Sequence, residues 1–95
     1  MKNPDQPIVW SVAGSDSCAG AGIQADLKTF SHLGVLGCTV VTAITAQNTM
    51  TVSAISPCND KTFQQQLDAL QVDFPPSVIK SGMLASVAQV EQLAK

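Results

Sequence analysis

Ala13-Gly14-Ser15-Asp16-Ser17-Cys18-Ala19-Gly20-Ala21-Gly22-Ile23-Gln24-Ala25-Asp26 carries three of the six glycines of this 95-residue chain and runs straight into a helical pattern. Just upstream, Ile8 to Val12 is an apolar run with the length of a buried strand. Strand, glycine-rich turn and helix start, in that order, build small-molecule sites in α/β proteins. The turn brings bare backbone N–H groups close to a ligand, and the helix start adds a partial positive charge.

Reading outward, the helix that opens after the turn predicts its own end at Gly34, a residue suited to the left-handed position that closes a helix. Gly37 to Ala46 (GCTVVTAITA) is small, β-branched and almost unbroken in apolarity, which predicts a strand buried on both faces. Thr51–Ser56 reads as a short further strand. Asn59 or Asp60 caps a second helix whose Phe63, Leu67 and Leu70 share one stripe, and Pro75-Pro76 stops it. Val78–Lys80 is a brief strand, Gly82 a turn, and Ser86 with Gln89 the capping box of a last helix. The order β-α-β-(β)-α-β-α predicts a mainly parallel sheet flanked by helices. In such sheets ligands bind beyond the carboxyl ends of the strands. The Gly14–Gly22 turn, Gln47-Asn48 and Gly82-Met83-Leu84 are therefore expected on one rim.

Composition narrows the partners. Apolar residues make up 45% of the chain, which supports a packed core. Five lysines, no arginine and seven acids give a net charge of −2 with no basic cluster, so neither nucleic acid nor an anionic membrane is an expected partner. The N-terminal Met1-Lys2-Asn3-Pro4-Asp5-Gln6-Pro7 lacks a signal-peptide apolar stretch, and no run reaches transmembrane length. Cys18, Cys38 and Cys58 form no C-x-x-C pair, and a single histidine, His32, completes no zinc site. Reduced thiols in a cytoplasmic protein without a metal are the expectation.

Asp26 is the most telling side chain. At 100° per residue from Ile23, it falls at about 300°, between Leu33 at about 280° and Phe30 at about 340°. A carboxylate within an apolar stripe needs partners, either a ligand or nearby backbone N–H groups. Gln47 closes the buried strand at the rim, where its amide can both donate to and accept from a heterocycle, or simply bind a turn. Met83 offers a flat polarizable contact to a ring, or core filling. Asp16 and Ser17 are candidates for ligand contact or, more simply, for capping the helix. His32 reads as solvated, and Lys80 as the end of a strand. Two nucleotide motifs fail in detail. Gly20-x-Gly22-x-x-Ala25 lacks the acid about 20 residues on, since none lies between Asp26 and Asp60, and no Gly-Lys dipeptide exists for a P-loop.

The blocks AGSDSCAGAGIQADLKTFSHLGVLGCTVVTAITAQNT, PCNDKTFQQQLDAL and VIKSGML together resemble the opening part of the hydroxymethylpyrimidine/phosphomethylpyrimidine kinases, thiamine-biosynthesis members of the ribokinase-like superfamily. The resemblance runs from about Ile8 to the C-terminus. It implies a partial ribokinase-like fold, with residues 1–95 as the N-terminal part of a single kinase domain. It also implies phosphorylation of 4-amino-5-hydroxymethyl-2-methylpyrimidine and its monophosphate with ATP and Mg2+. By motif, Asp26 and Gln47 are implied at the aminopyrimidine edge, with Ala13, Gly14 and Met83 lining the same pocket. Catalytic residues and the ATP-binding half are expected beyond Lys95, so the chain alone is expected to be inactive. Two alternatives stand beside this reading: a pyridoxine or pyridoxal kinase of the same fold, and a non-catalytic pyrimidine-binding module. A sheet cut short would also favour homo-oligomers. The family turn usually reads SDSGGGAG or similar, and Cys18 and Ala19 replace glycines in it. If either position needs a positive φ, the turn is strained.

Overall fold

The computed structural model describes residues 5–94; the first four residues of the signal-peptide reading and Lys95 lie outside them. The elements are β1 (Ile8–Asp16), α1 (Gly22–Leu33), β2 (Leu36–Gln47), β3 (Val52–Pro57), α2 (Asp60–Asp73), β4 (Val78–Ser81) and α3 (Val87–Ala94). They follow the predicted order. The strands form one sheet in the order β3-β2-β1-β4. β1 pairs in parallel with both β2 and β4, whereas β3 returns antiparallel to β2, so the sheet is mixed. The reversal is local: Asn48 Oδ1 accepts from the Met50 and Thr51 N–H groups, folding the chain back in an Asx-type turn.

The register sorts side chains onto two faces. Trp10 opposite Cys38, and Val12 opposite Val40, face α2, where they meet Phe63 and Leu67 in the core. The indole Nε1–H of Trp10 donates to Phe74 O at 2.8 Å, so the large ring is buried with its polar handle satisfied. The opposite face carries Ser11 and Gly37 beneath α1. A Cβ at Gly37 would lie 2.7 Å from Phe30 Cδ2 and 2.9 Å from Leu27 Cδ2, so the missing side chain lets α1 settle onto β2.

Helix ends follow their predicted chemistry. Asn59 caps α2 by accepting from Thr62 N at 2.7 Å, and Gly34 closes α1 at φ 75°. The last helix departs from a full capping box. Gln89 N donates to Ser86 Oγ, but the Gln89 side chain reaches Ala85 N instead of returning to Ser86. Its amide Nε2 is buried and donates to Thr42 O at 2.8 Å and Cys58 O at 3.4 Å.

Two expectations about β1 and β2 need correction. β1 runs on through Ala13 to Asp16, carrying the start of the glycine-rich stretch as strand. β2 is not buried on both faces throughout: Ile44 is 66% exposed and Ala46 is exposed, because no helix covers the C-terminal third of the strand. Where β3 has not yet joined its edge, Gln66 stands in for a strand, accepting from Val41 N and donating to Val41 O.

Cys18, Cys38 and Cys58 are free thiols. Burial, with the Asp73 carboxylate nearby, pushes the Cys38 thiol up, away from the reactive thiolate. Among the described residues no helix is long and apolar enough to cross a membrane.

Candidate active-site pocket

Three chain segments meet at the carboxyl ends of β1, β2 and β4. Between them lies a cavity of about 280 Å³ lined by Ala13 to Asp16, Ala21, Gly22, Thr45, Gln47, Lys80, Gly82 and Met83. The convergence has a structural cause. β1 and β2 shift register between Ala13 and Ser15, an irregularity in the ladder at the cavity floor. The hydroxyl of Thr42, in the shifted stretch, donates to Met83 O at 2.8 Å. Gln89 fixes the carbonyl of the same threonine from below. The β4–α3 loop is thereby tied to β2 rather than left as a free connection.

The glycine-rich turn is organised by Asp16. Its buried carboxylate accepts from Cys18 N at 3.0 Å, Gly20 N at 3.0 Å and Ala21 N at 2.8 Å. Gln24 Oε1 takes the Asp16 N–H, and Gln24 Nε2 donates to Ser15 Oγ. Ser17 bridges across to β2, donating to Thr45 O and accepting from Gln47 N. Neither Asp16 nor Ser17 is the helix cap expected of them: α1 begins after Ala21 with no side-chain cap. The turn is stitched from inside instead.

That stitching limits what the turn offers an anion. Three of the turn's N–H groups are taken by the Asp16 carboxylate, and among the described residues lining the cavity the cation Lys80 is already paired with a carboxylate. A cavity of this size takes a single small ring.

Ala13, Gly14, Gln47 and Met83 all line the cavity, as their sequence positions suggested. Asp26 does not. It turns inward from α1, as the wheel placed it, but its partners are side chains rather than the backbone N–H groups weighed above. Ser11 Oγ donates to Oδ2 at 2.6 Å, and Lys80 Nζ donates to both oxygens at 3.0 and 3.1 Å. Lys80 therefore does more than end a strand. Its register partner is Ser11, which places both under α1. Alternation in Val78-Ile79-Lys80-Ser81 could have put Lys80 and Val78 on one face. Which face that was, and that Asp26 waited there 54 residues away, only the strand order supplies.

Ala19 sits at φ 59°, a left-handed conformation. Of the two replaced glycines, this one matters, because Cys18 is not among the positive-φ residues. Ala19→Gly removes about 1–2 kcal/mol of left-handed strain, while glycine's extra unfolded-state entropy returns about 0.5–1 kcal/mol. A net gain of up to about 1.5 kcal/mol is expected, read as a higher melting temperature. A lower one would mean that the turn tolerates alanine without strain.

The sequence profile of the phosphomethylpyrimidine kinases matches residues 16–95. The hydroxymethylpyrimidine/phosphomethylpyrimidine kinase of Haemophilus influenzae is 51% identical over 94 residues, which are 99% of this chain and 34% of that protein. The crystal structure of phosphomethylpyrimidine kinase from Clostridium difficile superposes with a TM-score of 0.86 at 47% identity, covering 94% of this chain and 40% of that one. The Staphylococcus aureus pyridoxal kinase in complex with AMP-PCP and pyridoxal matches at a TM-score of 0.81 and 39% identity, covering 93% of this chain and 33% of that one. The chain spans about a third of the length of the curated relatives it matches.

Proposed function

The chain belongs to the phosphomethylpyrimidine kinase family, and from that premise we propose that it supplies the pyrimidine pocket of a thiamine-biosynthesis kinase. The substrate is 4-amino-5-hydroxymethyl-2-methylpyrimidine and its monophosphate, phosphorylated from ATP. The observation that carries this reading is the cavity itself: segments around residues 13–16, 45–47 and 80–83 converge on a space fit for one substituted ring. Gly14 keeps the floor flat, Met83 offers a polarizable face, and Gln47 an amide edge. The ring would lie between the β1 end and the β4–α3 loop.

ATP and Mg2+ belong to the same reading, held by groups other than those described above. Phosphoryl transfer relies on cations and oriented donors aimed at the moving group. The sequence has no arginine, and the turn's donors are spent on Asp16. The pocket's contribution is therefore to bind and orient the ring and to exclude water around it. Three free thiols suit a cytoplasmic setting.

A second reading, a pyridoxal kinase, is kept because the Staphylococcus aureus enzyme shares the fold at 39% identity. Calorimetric titration of the protein with the aminopyrimidine and with pyridoxal separates the two. Saturable binding that is tighter for the aminopyrimidine is expected. Asp26→Asn should weaken it by about 1–3 kcal/mol, the scale of the charge-assisted hydrogen bonds with which Asp26 holds Lys80 at the cavity wall. Preference for pyridoxal would select the second reading, and no binding of either by the folded protein would remove both.

A further inference from the structure

The geometry points to Lys80, not Asp26, as the charged group that touches a ring in this pocket, with Asp26 and Ser11 as positioning residues behind it. The inference rests on the reading of the cavity as a ring-binding site. Lys80 lines the cavity and Asp26 does not. The Asp26 side chain is 17% exposed and the Lys80 side chain 48%. The ammonium thus stands between the carboxylate and the pocket.

An ammonium carries three N–H donors and no acceptor. Asp26 Oδ1 and Oδ2 both accept from it, at 3.1 and 3.0 Å. At least one N–H remains for an acceptor atom in the cavity. The carboxylate that aims it is itself held by the fully buried Ser11 hydroxyl at 2.6 Å. A free lysine loses rotamer entropy when it is ordered. Here Asp26 and Ser11 order it before a ligand arrives, so binding does not carry that cost.

Gln47 supplies the complementary group. Its Nε2 donates to Thr45 Oγ1 at 2.8 Å, which fixes the amide plane, and among the described residues its Oε1 accepts no hydrogen bond. The cavity lining therefore offers one donor, on Lys80, and one acceptor, on Gln47. The ligand class that answers both is a small heteroaromatic ring with an acceptor, a ring nitrogen or hydroxyl oxygen, at one edge and an amino donor at another.

The test compares calorimetric affinities of wild type, Lys80→Met, Lys80→Arg and Asp26→Asn for 4-amino-5-hydroxymethyl-2-methylpyrimidine. Circular dichroism confirms folding of each variant. Lys80→Met should weaken binding at least tenfold, Lys80→Arg should recover most of it, and the Lys80→Met/Asp26→Asn double variant should bind no more weakly than Lys80→Met alone. That non-additivity marks Asp26 as acting through Lys80. Lys80→Met binding as tightly as wild type, or more tightly, would overturn the proposal, because the ring would then displace the lysine and meet Asp26 directly. In that outcome wild type still binds and the pocket reading survives. Absence of binding by wild type would instead sink the pocket reading, and this assignment with it.

Discussion

Gly22→Ala is expected to destabilise the protein by about 3–4 kcal/mol and to deform the pocket at the same time. Gly22 adopts φ 64° at the first position of α1, and an added Cβ would overlap Gly14 O, with Gly14 C at 3.2 Å and Asp16 N at 3.4 Å. All three neighbours are backbone of β1, so no side chain can swing away. The left-handed conformation alone costs an alanine about 1–2 kcal/mol, and relieving an overlap in a packed site costs about 1–3 kcal/mol more. Folded domains hold only about 5–15 kcal/mol in total, so a large part of the stability is at stake. Urea unfolding measures the loss directly. Gly20→Ala is the matched control: its φ is not positive and the nearest atom to a Cβ is Asp16 Oδ2 at 3.7 Å. A change within about 0.5 kcal/mol is expected there. Equal effects at both positions would show that the turn simply requires glycine, not that α1 docks against the strand at Gly22.

Gln89→Leu is expected to cost about 2–3 kcal/mol, although it exchanges a polar residue for an apolar one of similar size in the interior. Gln89 is completely buried and serves three backbone groups: Thr42 O, Cys58 O and Ala85 N. Leucine removes that partner from all three, at about 1–3 kcal/mol for a buried group left unsatisfied; Thr42 O keeps a second donor, Cys58 N at 2.8 Å. Cys58 O, at 3.4 Å, contributes least. The consequence extends to function, because Thr42 also holds Met83 O. Limited proteolysis around Met83 should accelerate along with the fall in the unfolding midpoint. A leucine variant as stable as wild type would mean that water replaces the amide. The site is then roomier than its burial implies.

Both effects bear on how far the chain could be read before it folded. The caps at Asn59 and Gly34 and the stop at Pro75-Pro76 depend on residues within a few positions of each other, and they stand where expected. Ser86 met its partner, but the Gln89 side chain went elsewhere: a buried carbonyl on β2 holds its Nε2, and its Oε1 accepts from Ala85 N. Asp16 shows the same limit. Sequence favoured a capping role for Asp16 or Ser17, while the loop needed a carboxylate to gather three of its own N–H groups. Ile44 looked buried because its neighbours in sequence are apolar, but burial depends on a second layer that does not reach it.

The sequence by itself determined the order of elements, the rim on which three segments gather, and the inward face of Asp26. These follow from periodicity, capping chemistry and the polarity of parallel strands, all of which act along the chain or by general rule. Only the tertiary structure decided what Asp26 faces. β4 lies beside β1 with Lys80 opposite Ser11, and the carboxylate is claimed by a lysine 54 residues away. Periodicity fixes the direction in which a side chain points. The strand order and register fix what it meets, and that is a property of the assembled sheet.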